Sequence, residues 1–133
     1  MSQDHIRPVD VAVDNIDITR DFAMHLRRRK PGPPERTDAM TIGIVSMETS
    51  APHGGEVHPD GDELLFIISG RARVVGDSDP DHPLELGPGD ACIVPRGEWH
   101  RVEVLEPVEL VHITPGPGGD HRPAADQRPS SAA

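Results

Sequence analysis

Tyrosine is absent from this 133-residue sequence, and Phe22, Phe66 and Trp99 are its only aromatic residues. Mechanisms that rest on a tyrosine base, or on rows of rings stacking against nucleobases, are thereby excluded or disfavoured. Cysteine is scarce as well. Cys92 stands alone, so no internal disulfide can form, and its neighbours in "ACIVPRG" suit a small core residue in a reducing compartment. No apolar run approaches the roughly 20 residues of a membrane span, and "MSQDHIRPVD" has no apolar signal core, which predicts a soluble cytoplasmic protein. Positive charge is the minority sign: the net charge is −10, and the one basic cluster is Arg27, Arg28, Arg29 and Lys30. Nucleic acid is not an expected partner for that balance, because affinity for it comes from neutralising phosphates. The cluster is read as a solvated strand end, with a local anion or partner contact as the alternative.

What the sequence has in abundance is punctuation. Fifteen prolines and thirteen glycines leave few windows long enough for a helix, and an all-β chain follows. In "ITRDFAMHLRRR", Phe22, Met24 and Leu26 fall on one face and His25 and Arg27 on the other, as in a half-buried strand. "AMTIGIVSMETS" is a second strand, followed by a short extended piece around Glu56 and His58. "ELLFIIS" is apolar on both faces and should be covered on both, by the interior on one side and by another sheet or a dimer partner on the other. "GRARVVGD" is expected to pair with it through a turn at Ser69-Gly70, and "LEL", "DACIVP", "WHRVEVLE" and "VELVHITP" complete the set. Seven to nine short strands at this spacing predict one small barrel or two-sheet jelly roll, since closure removes sheet edges. The boundaries are an N-terminal arm over 1–15, the barrel over 16–115 and a flexible, Pro- and Gly-rich tail over 116–133.

Two polar constellations stand out. In "GGEVHPDGDELLFIISG", Glu56 and His58 are two apart, so on an extended chain both side chains point the same way, and Glu63 follows after a turn. In "GPGDACIVPRGEWHRV", Pro95 and Gly97 make a tight turn and His100 opens the returning strand, which can bring it opposite Glu56 and His58. Asp60-Gly61-Asp62 lacks the spacing of a calcium loop and is read as a turn. His112 is in phase with Leu110 and Thr114 and is expected to line the barrel, with substrate contact as a second role. Trp99 is expected to pack under the hairpin or to stack on a substrate. His53 is a loop residue or a replacement ligand. Arg71 and Arg73 share a face and are expected to be solvated.

These residues resemble the cupin superfamily. One of its motifs runs His-x-His, three or four residues, Glu, six residues, Gly; it is matched from His58 through Glu63 to Gly70. The other runs Gly, five residues, Pro-x-Gly, two residues, His; it is matched by Gly89, Pro95, Gly97 and His100. The resemblance spans roughly residues 40–114 and implies a cupin-type β-barrel, a double-stranded β-helix, that binds one divalent transition metal through His58, Glu63 and His100. The position of the family's first histidine holds Glu56, and the preceding glycine of the pattern is Ser50. Glu56 is then a fourth ligand, a general base, or the mark of a barrel that has lost its metal. Two imidazoles with one or two carboxylates favour Fe or Mn, with Ni or Zn as alternatives. The resemblance implies a small metal-dependent enzyme of dioxygenase, isomerase, lyase or cyclase type acting on a small molecule. The alternative is a non-catalytic barrel that binds or senses a small molecule, with or without metal.

Overall fold

The computed structural model describes residues 5–32 and 35–123. Nine strands form, and no helix occurs among the described residues: β1 (Asp14–Ile18), β2 (Met24–Arg28), β3 (Met40–Met47), β4 (His53–Val57), β5 (Glu63–Gly76), β6 (Leu84–Leu86), β7 (Ala91–Val94), β8 (His100–Pro115) and β9 (Asp120–Pro123). All pairings are antiparallel. The main path runs β2-β1-β3-β8-β4-β9, and β5 pairs with β6, β7 and β8. β5 and β8 lie against each other along nearly their whole length, from Leu64 opposite Ile113 to Gly76 opposite His100, with register shifts between Ile67 and Ala72. They bend there and pass through both layers of an all-β jelly roll.

Those long strands correct two expectations. "ELLFIIS" and "GRARVVGD" are one strand, not a hairpin, and "WHRVEVLE" and "VELVHITP" are likewise one. Gly70 opens a bulge instead of a turn. Its φ is 82°, and any side chain there would overlap the Pro107 carbonyl. In the other direction, "ITRDFAMHLRRR" is not one strand but the turn and second arm of a hairpin. Thr19 accepts from the Phe22 amide and donates its own amide to Ala23 O (2.9 and 3.0 Å), and Phe22 takes a φ of 67°. Period-two patterning ran through that turn unbroken, which hid it.

The inner faces supply the core. Leu65, Ile67, Ala72, Leu86, Val94, Val108 and Leu110 are buried together, with Val45, Met47, Val74, Cys92, Val102 and Val104 packed around them. Each fully buried Leu, Ile or Val stabilises the fold by roughly 1.5–3 kcal/mol. The outer face is apolar as well. Cross-strand partners share a face, and the pairs Leu26–Ile16, Ile16–Ile42, Ile42–Ile113, Ile113–Leu64 and Leu64–Ile93 draw one apolar row across six strands. Met24, Leu26, Phe66, Ile68 and Ile93 on this face are exposed, so the second cover expected for "ELLFIIS" does not come from the described residues. Arg71 and Arg73 are solvated and pair with Glu85 and Glu103, both at 2.8 Å.

The chain past Pro115 was expected to be tail, yet Asp120–Pro123 forms β9 along the free edge of β4. Its sequence, "DHRP", has no strand propensity; side chains hold it. Arg122 makes a bidentate pair with Asp77 (2.6 and 2.8 Å), donates to Gly54 O and lies 4.8 Å over the Trp99 ring. Residues 124–133 of the expected tail lie outside the described residues, and at the other end Asp14 and Asn15 of the expected arm already belong to β1. A half-exposed ion pair and a cation–π contact each contribute about 0.5–1 kcal/mol. Arg122→Ala is therefore expected to speed amide hydrogen exchange in β4 and β9 while leaving β5 and β8 protected. Unchanged protection in β9 would show that backbone pairing alone suffices.

Candidate metal centre

Four side chains converge at one end of the interior. β4 brings Glu56 and, one residue past its end, His58; Glu63 begins β5; His100 begins β8 directly opposite Glu56 in the ladder. The two sequence motifs are also tied by backbone. Gly97, with a φ of 79° in the tight turn, donates its amide to His58 O at 3.1 Å. Asp62 accepts from the Arg96 amide at 2.8 Å, which fixes the Asp60–Asp62 turn as a structural one.

Each of the four offers one ligand atom, and those atoms lie within 4.8 Å of one another. His100 Nε2 is 2.9 Å from Glu63 Oε1 and 3.8 Å from Glu56 Oε1; His58 Nε2 is 3.3 Å from Glu63 Oε2 and 3.6 Å from Glu56 Oε1. Donors bound to one ion at about 2.0–2.2 Å sit roughly 3–3.5 Å apart, so the set is already near that spacing. His58, Glu63 and His100 are buried, whereas the Glu56 side chain is 30% exposed and faces the cavity.

Hydrogen bonding orients the donors outward from their supports. His100 Nδ1–H donates to Glu98 O at 3.0 Å, which leaves the Nε2 lone pair facing a carboxylate. Two acceptors so placed repel unless a proton or a cation lies between them. Both ring nitrogens of His58 are buried without a hydrogen-bond partner among the described residues. Thr114 donates its hydroxyl to Glu63 Oε2 at 2.6 Å and accepts from His112 Nδ1 at 2.8 Å. A carboxylate and an imidazole each anchored through the second atom are the usual surroundings of metal ligands. The residues therefore fit a divalent ion.

The metal-free titration behaviour shows the same tension. Burial would lower the His58 pKa, but the carboxylates of Glu56 and Glu63, 3.6 and 3.3 Å from Nε2, override it and raise the value to about 9. For His100, burial again opposes, and Glu63 with the Glu98 carbonyl raises it. Burial pushes Glu63 and Glu56 up, yet the two imidazoles hold both below the ordinary carboxylate range. His112 is lowered, first by burial.

A cavity of about 380 Å³ opens above the cluster. Glu56, His58 and Glu63 are in its wall, and so are His112 and His53, which opens β4. Trp99 is not. It stacks against Arg122 on the far side of β4, because the hairpin turns the residue before His100 away from the interior. His53 lies beside His121, ring centroids 5.9 Å apart, and is not one of the four converging residues. His112 lies over Gly43, where a methyl group would overlap its Nε2, so the glycine is what admits the ring. Thr114, Arg36 and Thr37 were not singled out from sequence, and Arg29 entered only as part of the basic cluster. Only Thr114 carried a signal, its shared parity with His112.

The profile of the cupin domain matches residues 43–114, more than half of the chain, and the protein belongs to that family. No curated protein sequence matches it. Among solved structures it is similar to a protein from Neisseria meningitidis (TM-score 0.51, 21% identity, 66% of this chain and 88% of that one). It is also similar to a cupin-2 domain protein from Shewanella frigidimarina (TM-score 0.50, 20% identity, 68% and 85%). A variant of oxalate decarboxylase from Bacillus subtilis matches with a TM-score of 0.52 and 23% identity over 66% of this chain, which spans 24% of that protein. These likenesses are of fold.

Proposed function

We propose that the protein is a small metal-dependent enzyme acting on a small molecule, with one divalent transition metal held by Glu56, His58, Glu63 and His100. The observation that carries this reading is the convergence of four donors, three of them buried, with Glu56, His58 and Glu63 lining a cavity of about 380 Å³ and His100 packed behind them. Two carboxylates neutralise a divalent cation and favour the harder ions, so iron or manganese is preferred over nickel or zinc. Mn(II) centres are named for the B. subtilis oxalate decarboxylase, whose fold is shared. A metal in this position supplies Lewis-acid polarisation of a bound oxygen atom. The chain's own contribution is to orient and to move a proton: Glu63 and His100 are fixed by Thr114 and Glu98, while Glu56, facing the cavity, is placed to accept a proton from a bound substrate.

Metal analysis of protein purified without chelator tests the reading. Wild type is expected to carry about one iron or manganese per chain, and Glu56→Gln to retain metal with weakened affinity. Wild type free of transition metal under these conditions overturns the assignment and leaves the ligand-binding barrel.

We also infer that the protein is a cytoplasmic homodimer. The supporting observation is the six-strand apolar outer row, which a second copy of the same face would cover; exposed apolar surface of that extent marks an interface in a chain of net charge −10. Light scattering is expected to give twice the chain mass for wild type and the single mass for the Phe66→Lys, Ile93→Lys double variant. A wild-type monomer at high concentration excludes the dimer.

A further inference from the structure

The cavity wall is basic in a protein that is acidic overall. Arg27, Arg29, Lys30, Arg36 and Arg101 all line it, most of them from the β2 end and the β2–β3 connection. Three are neutralised: Arg27 by Asp17 at 2.7 Å, Lys30 by Glu35 at 3.2 Å and Arg101 by Glu103 at 3.0 Å. Among the described residues no carboxylate pairs with Arg29 or Arg36. Arg29 is half-buried and spends three of its five N–H groups on neutral oxygens, those of the Asn15 side chain, Ile44 O and Ala12 O, so its position is fixed and its charge is unmet. Arg36 reaches close to the metal centre. A methyl group on Gly119 would touch both Arg36 Nη1 and, at 3.3 Å, His58 Nδ1. Next to it, the Thr37 hydroxyl oxygen is buried in the same wall without a partner among the described residues.

An unpaired guanidinium pair and an unsatisfied hydroxyl in one concave site ask for an acceptor-rich, negatively charged group. The same cavity wall carries apolar side chains as well, those of Val45, Met47, Leu65 and Leu110. Resting on the proposed function, we propose that the substrate is a small organic oxyanion, a carboxylate or phosphate carried on a short apolar body. Its anionic group is held by Arg29, Arg36 and the Thr37 hydroxyl, and its other end meets the metal centre. For Arg29 this takes up the alternative reading of the basic cluster, a local anion contact, in place of the solvated strand end.

Binding to zinc-loaded protein, followed by ligand-observed NMR with zinc content measured in parallel, tests this with hexanoate, hexanamide and hexyl phosphate. One or both anions are expected to bind at millimolar concentration or better, with hexanamide at least tenfold weaker. Arg36→Gln and Arg29→Gln are each expected to weaken the anion at least tenfold at unchanged zinc content. Among the described residues Arg36 has no hydrogen-bond or ion-pair partner to lose, so its variant reads the site even where Arg29→Gln loosens the β2 end. Equal binding of acid and amide, no binding of either anion at tens of millimolar, or wild-type affinity in both variants overturns the proposal. The last result would mean that the anion reaches the metal instead. Anion binding that depends on both arginines in protein unable to hold zinc would remove the metal reading and leave this one standing.

Discussion

Glu63→Gln is expected to abolish stable metal loading. The amide fits the same buried space and can still accept from Thr114 at the position now occupied by Oε2, so packing is kept while the charge and one strong donor are lost. Glu63 is the hub of the cluster, with one oxygen toward each imidazole at 2.9 and 3.3 Å. Loss of a residue that merely supports a ligand costs metal affinity roughly 10–100-fold, and loss of a ligand should exceed that. The measurement is metal content after gel filtration, paired with a metal competition titration. Full occupancy in Glu63→Gln would place the ion elsewhere. Thr114→Val is the companion variant: it leaves the ligand and removes its anchor, so its effect should fall within the supporting range.

The second large effect is in pH. In the metal-free protein the His58 pKa is raised to about 9 and that of His100 is raised as well, so at neutral pH the cluster holds protons that an incoming ion must displace. A raised histidine stabilises the folded metal-free protein fully below its unfolded value near 6.5, and that contribution is lost as pH rises through the folded value. Metal binding runs the other way. Affinity should rise about tenfold per pH unit for each proton displaced, hence about a hundredfold or more from pH 6.5 to 8.5. Thermal melts with and without zinc at the two pH values should show the metal-induced rise in Tm growing with pH, on a metal-free baseline that falls. A metal-induced shift independent of pH would mean that the histidines are not the ligands.

The all-β fold was legible in the sequence from short-range signals, and the four converging residues were picked out through the resemblance to the family's two motifs, with Glu56 left open between ligand, base and the mark of a lost metal. Glu56 and His58 share a strand face, Pro95 and Gly97 enforce a turn, and prolines and glycines bar helices. What could not be read depended on distant partners. Ser69-Gly70 has the local sequence of a hairpin turn, and only Pro107, 37 positions beyond Gly70, makes it a bulge. The apolar face of Met24 and Leu26 has the alternation of a core strand, but parity does not say which side of a sheet the core is on. "DHRP" becomes a strand because Asp77, Gly54 and Trp99 hold Arg122. The charge of Arg29 could be placed only when its partners proved to be neutral oxygens.

Glu56 has one more consequence, for electron transfer. In the proposed ligand set a histidine in its place would leave one negative charge, whereas Glu56 as a ligand would bring the set to two. A divalent ion is then neutralised, and a trivalent ion keeps a single positive charge in a low-dielectric pocket. The extra carboxylate therefore favours the oxidised state, and an iron or manganese ion held here should have a lower reduction potential than the same ion in a barrel with the family's histidine. A Glu56→His variant, metal-loaded, should move that potential upward.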